Sequence, residues 1–107
     1  MKRILAPFAL LALIPLLGVT SCASLFSDYC DKRINCIGGN DKDKSACADT
    51  LRGEEKAAAD YGCGDAFDAY YTCRNTNTVC SNGKFESNCD GQNKVLDDCV
   101  RAASGTR

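Results

Sequence analysis

The sequence predicts an all-α fold, a small disulfide-stapled bundle of about four short helices arranged as two helical hairpins. Three observations predict it. Nine cysteines occur in 107 residues, a density typical of short secreted chains stapled by disulfides. Two segments in the C-terminal half each carry cysteines in a C-x9-C spacing on an apolar stripe of helical period. Gly38-Gly39-Asn40, Gly62 and Ser81-Asn82-Gly83 divide the chain into helix-length pieces.

The N-terminus reads as a targeting segment rather than part of that fold. Met1-Lys2-Arg3 is a positive n-region, and Ile4 to Gly18 is an apolar run interrupted by Pro7 and Pro15. The run is too short for a comfortable membrane-spanning helix and fits a signal-peptide core. It ends at Val19-Thr20-Ser21-Cys22. This box resembles the bacterial lipobox, an aliphatic residue and two small ones before a cysteine. The resemblance implies a diacylglyceryl group on the Cys22 thiol, cleavage before Cys22 and acylation of the new amine. Ala23 after that cysteine implies transfer to an outer membrane. Two or three acyl chains make attachment nearly permanent, whereas one holds a protein only marginally.

Removing 21 of the 107 residues leaves a mature chain of 86. Its side chains comprise 11 basic and 14 acidic groups, a net charge of −3. Nucleic acid and anionic membrane surfaces are poor partners for such a chain. Histidine is absent, which removes the commonest general base and metal ligand. The expected organisation is a lipoprotein signal peptide at 1–21, a lipidated tether at 22–28, a disulfide-rich helical domain at 29–103 and a flexible tail at 104–107.

In the first helix, Phe26, Cys30, Ile34 and Ile37 recur at helical spacing until Gly38-Gly39-Asn40. Asp41 is a candidate cap for a second helix through Cys47 and Leu51, with a bend at Gly53 and an end at Gly62. Cys63, Phe67, Tyr70 and Cys73 form the stripe of a third helix, and Phe85, Cys89, Gln92, Leu96, Cys99 and Val100 that of a fourth. The segment between them is rich in turn residues, so these two helices are expected to fold back antiparallel.

Lipidation of Cys22 leaves eight cysteines, Cys30, Cys36, Cys47, Cys63, Cys73, Cys80, Cys89 and Cys99. Cysteines ten residues apart on a helix are separated by about 15 Å along the axis and roughly 80° around it. In an antiparallel hairpin the start of one helix faces the end of the other. Cys63 is then expected to meet Cys99, and Cys73 to meet Cys89. Cys30, Cys36, Cys47 and Cys80 tie the first hairpin to itself and to the Cys80 loop, in a pairing left open. The twin C-x9-C hairpin resembles the CHCH proteins of the mitochondrial intermembrane space between Cys63 and Cys99. Cys80 and the signal segment depart from that family, and the resemblance implies shared stapling geometry only.

The whole chain also resembles small cysteine-rich predicted lipoproteins of myxobacterial type. Tyr29-Cys30, Gly38-Gly39-Asn40, Tyr61-Gly62-Cys63-Gly64-Asp65-Ala66-Phe67-Asp68 and the spaced cysteines that follow carry this likeness. It implies no particular activity.

The remaining chemistry reads as structural. Zinc sites use ligand pairs two to four residues apart, and the closest spacing among the eight is the five residues between Cys30 and Cys36. No C-x-x-C redox motif is present. Glu54, Glu55, Asp65, Asp68, Asp97 and Asp98 read as solvated helix faces and caps, with Asp65 suiting a helix N-terminus. Gly62 and Gly64 read as helix stop and restart. Among Tyr61, Tyr70 and Tyr71, Tyr70 lies on the expected core stripe and Tyr71 is expected at the surface. No catalytic residue, metal or cofactor is assigned. The expected function is that of an envelope-anchored structural or protein-interaction module, held to the membrane through Cys22. The alternative is a small-ligand or metal-binding cell-surface protein.

Overall fold

The structure, a computed structural model, describes residues 22–105; the expected signal peptide at 1–21 and the last two tail residues lie outside them. Four helices and one small hairpin follow in the order α1 (Cys22–Ile37), α2 (Asp41–Asp60), α3 (Gly64–Thr76), β1 (Thr78–Ser81), β2 (Lys84–Ser87) and α4 (Asp90–Ser104). The molecule is mainly helical, as its cysteine spacing and apolar periodicity predict.

Glycine and asparagine set the helix ends. Gly38 takes a positive φ of 86° after α1, and the Gly38 and Gly39 amides both donate to the Ile34 carbonyl. Asn40, rather than Asp41, is the N-cap of α2. Its side chain accepts from the Lys42 and Asp43 amides, while the Asp43 carboxylate accepts from the Asn40 amide at 2.8 Å. This reciprocal box satisfies donors at the start of the helix that have no intrahelical partner. Helix α2 runs unbroken through Gly53. At its end Gly62 adopts a φ of 73°, its amide donates to the Ala59 carbonyl, and the Cys63 amide donates to the Ala58 carbonyl. That is a Schellman stop, in which the left-handed residue favours glycine.

The helices alternate in direction. Cys30 bonds Cys47 while Asp31 meets Lys44, so α1 and α2 run antiparallel. Cys63 bonds Cys99 and Cys73 bonds Cys89, each with Cα atoms 6.0 Å apart, so α3 and α4 also run antiparallel. These are the pairs expected of a hairpin whose helices carry equally spaced cysteines. Helix α1 lies along α3 in the same direction, with Phe26 against Phe67, Tyr29 against Tyr71 and Lys32 against Asn75. The fourth bridge, Cys36 to Cys80, joins the end of α1 to β1.

The core runs through α1, α2 and α3, with Phe26, Tyr29, Cys30, Ala48, Leu51, Ala58, Cys63, Phe67 and Tyr71 buried together. Helix α4 has no fully buried residue; Leu96, Cys99 and Val100 pack partly against the cluster from outside. With so little burial, the two bridges to α3 carry much of its attachment.

Three further expectations change. The segment 22–28, expected as a tether, belongs to α1, and Phe26 within it is 0% exposed. The folded unit therefore begins before residue 29. The connection between α3 and α4 is an antiparallel β-hairpin, pairing Thr78 with Ser87 and Cys80 with Phe85. Phe85 therefore belongs to β2, and α4 starts only at Asp90. Asn82 and Gly83 take φ values of 52° and 74°, the left-handed pair of a tight two-residue hairpin turn. At the C-terminus, Ser104 completes α4 and Gly105 caps it with a φ of 71°.

Candidate functional site

The most concentrated chemistry among the described residues is an aromatic column crossed by one arginine. Helix periodicity builds it. Phe67, Tyr70, Tyr71 and Arg74 lie at steps of three, one and three on α3, so they share one side of that helix. Phe26 and Tyr29 come from α1, and Phe85 from β2, where it pairs with Cys80. Phe26 meets Phe67 and Tyr71 edge to face at 5.9 and 6.0 Å. Tyr29 meets Tyr71 at 5.4 Å and Phe85 at 5.5 Å. Edge-to-face contacts set the positive rim of one ring against the negative face of another.

The Arg74 guanidinium lies 5.0 Å from the Tyr29 ring centroid, 5.5 Å from Tyr70 and 5.6 Å from Tyr71. Three rings thus offer their negative faces to one cation. The Tyr71 hydroxyl donates to Glu54 Oε2 at 3.3 Å. Burial pushes the Tyr71 phenol up to about 12, with Glu54 adding to the rise and Arg74 opposing it. The Tyr29 phenol is also raised, mainly by burial. Both rings stay protonated near neutral pH and serve as packing surfaces.

This arrangement corrects the expectation for one tyrosine. Tyr71, expected at the surface, is buried, while Tyr70, on the expected core stripe, is half-buried against the core cluster. Helix α1 packs against α3 with Phe26 and Tyr29 on the Tyr71 ring, which places Tyr71 inside the core. Tyr61, at the end of α2, is 46% exposed and stands apart from the column. Arg74 was missed by sequence reasoning, although its position three and four residues after Tyr71 and Tyr70 is a legible signal.

Two of the carboxylates singled out by sequence fall into surface ion pairs. Asp97 pairs with Arg101 at 3.0 Å and Asp98 with Lys94 at 2.5 Å, each one helical turn apart. Such exposed pairs contribute only a few tenths of a kcal/mol. All eight expected cysteines are consumed in bridges: Cys30 with Cys47, Cys36 with Cys80, Cys63 with Cys99 and Cys73 with Cys89. Among the described residues no group of three or more Cys, Asp or Glu side chains converges to hold a metal ion. No helix there is long and apolar enough to cross a membrane. Cys22, the expected lipidation residue, is the first residue of α1.

The surface away from the column has two poles. One gathers the first turns of α1 and the ends of α2 and α4. The other gathers the end of α1, the start of α2 and the β-hairpin. At the second pole Ile37 is 52% exposed and Val79 is 66% exposed. Val79 pairs with Glu86 on the outer face of the hairpin, opposite the face on which Cys80 and Phe85 turn toward α1. Comparison with known protein families, curated proteins and solved structures finds no match.

Proposed function

We propose that the chain is an envelope-anchored interaction module, held to a membrane by acyl chains on Cys22 and presenting its hairpin pole to a protein partner. The lipobox-like Val19-Thr20-Ser21-Cys22 supports the anchor. The observation that carries the interaction reading is the exposure of Ile37 and Val79 at the pole opposite the start of α1. Helix α1 rises about 22 Å from Cys22 to Ile37, so an anchor at Cys22 leaves that pole pointing away from the lipid. Apolar side chains held out at the far end of a stapled domain suit the centre of a small protein interface.

The early burial of Phe26 sharpens the proposal. Phe26 lies four helical steps from Cys22, about 6 Å of rise. The domain would sit directly on the membrane surface rather than at the end of a flexible leash.

Two measurements test the two halves separately. Metabolic labelling with a fatty acid should mark the native protein and leave Cys22→Ser unlabelled; equal labelling of both overturns the anchor. A photo-cross-linking residue at Val79, used in intact envelopes, should give a discrete protein adduct, while one at Arg101 should not. Absence of an adduct at Val79, or the same adduct from both positions, overturns the interaction reading.

A further inference from the structure

We propose that the Cys36–Cys80 bridge is a thiol–disulfide exchange site, open to a dithiol reductant while the other three bridges stay closed. The argument rests on where the sulfurs sit and does not depend on the anchor or the partner. Exchange begins when a thiolate attacks one sulfur and expels the other as a thiolate. Both ends of a bridge therefore matter: one must be reachable, and the other must tolerate a negative charge.

Three bridges fail that requirement. Cys30 and Cys63 are each 1% exposed, although their partners Cys47 and Cys99 are partly exposed. Attack on Cys47 or Cys99 would expel a thiolate into the aromatic core, where burial disfavours the charged form. Attack on Cys30 or Cys63 is sterically blocked. Cys73 and Cys89 are 8% and 2% exposed, so that bridge is shielded at both ends.

Cys36–Cys80 differs at both ends. Cys80 is exposed on β1 and Cys36 is partly exposed on α1. Both line an open groove of about 360 Å³ with Lys32, Asn35, Thr78 and Phe85. Lys32 lies four residues before Cys36, one turn away on the same helix face. Its Nζ donates to the Asn75 carbonyl at 2.9 Å and to Asn75 Oδ1 at 3.2 Å, and its side chain lines the same groove as the two cysteines. A nearby cation favours a thiolate.

The chemistry follows from that placement. One thiolate of the dithiol attacks Cys80 Sγ, a mixed disulfide forms, and Cys36 leaves as a thiolate beside Lys32. The second thiolate of the dithiol then attacks its own sulfur in the mixed disulfide and releases Cys80. The dithiol ends as a disulfide, the bridge has accepted two electrons, and the two cysteines take up the two protons that the dithiol lost. What remains between α1 and the hairpin is mainly the Phe85 ring against Tyr29 at 5.5 Å, with Cys73–Cys89 still holding the base of the hairpin.

The test is partial reduction of the native protein. A graded series of dithiothreitol, without denaturant, is quenched with N-ethylmaleimide and the modified peptides are mapped by mass spectrometry. Cys36 and Cys80 should be modified together, about tenfold faster than any other cysteine, with helical circular dichroism retained. Lys32→Gln should slow that opening about threefold while leaving the helical signal unchanged. First opening of Cys30–Cys47, Cys63–Cys99 or Cys73–Cys89, or simultaneous opening of all four, overturns the proposal. An unchanged rate in Lys32→Gln overturns the role given to the ammonium.

Discussion

Replacing Phe26 by alanine tests where the folded domain begins. Phe26 is 0% exposed and meets two other rings edge to face, Phe67 at 5.9 Å and Tyr71 at 6.0 Å. A buried Phe→Ala change costs about 3–5 kcal/mol, combining lost transfer energy with the cavity left behind. Fixed bridges on both sides of the site limit how far it can collapse, so the expected cost is about 4 kcal/mol. For a domain of this size each kcal/mol lowers the melting temperature by about 4–8 °C, giving a drop of about 16–32 °C. Urea unfolding of a soluble form starting at residue 22, with Cys22→Ser and the bridges intact, measures the loss directly. A loss below about 1 kcal/mol would refute the reasoning. Residue 26 would then contribute like a solvated position, and 22–28 would be the leash that the sequence alone suggests.

Other expected outcomes can be checked on the same material. Alkylation under denaturing conditions should add nothing to the eight bridged cysteines, as counted by mass; two or more modified thiols would contradict the pairing of all eight. Gly62→Ala should cost about 1–2 kcal/mol in urea unfolding, because its φ of 73° is a left-handed conformation that a Cβ opposes. An unchanged midpoint would mean that the stop after α2 has another conformation in solution. The Tyr71 phenol is raised from 10.0 to about 12 by burial and by Glu54. The folded state thus holds that proton more tightly than the unfolded state, so stability is fully present below pH 10 and is lost as pH rises toward 12. Tyr71→Phe should flatten that alkaline loss, and parallel pH profiles for the two proteins would argue against a buried phenol.

Much of the local architecture is legible in the chain. Apolar residues three and four apart mark the helices, glycines mark their ends, and equal C-x9-C spacing brings Cys63 to Cys99 and Cys73 to Cys89. These are properties of single elements and of one short connection, where a period of 3.6 residues and a turn leave few arrangements. Asn82-Gly83 also carries a hairpin signal, but Phe85 four residues before Cys89 imitates the spacing of a helix.

Tertiary structure decided the rest. The pairing of Cys36 with Cys80 spans 44 positions, and nothing local specifies it; it follows from α1 lying along α3 so that its end reaches β1. The burial of Tyr71 beside Tyr70 has the same origin. A helical stripe states which side of α3 is apolar, whereas the number of neighbours pressing on that side sets how wide the buried sector becomes. Phe26 heads the apolar stripe of the first helix yet falls within the expected tether, and the aromatic surface assembled from α1 and α3 decides for burial. Sequence alone determined which faces needed cover and which cysteines needed partners. The choice of cover and partner depended on contacts between distant segments, whose energies exist only once the chain has brought them together.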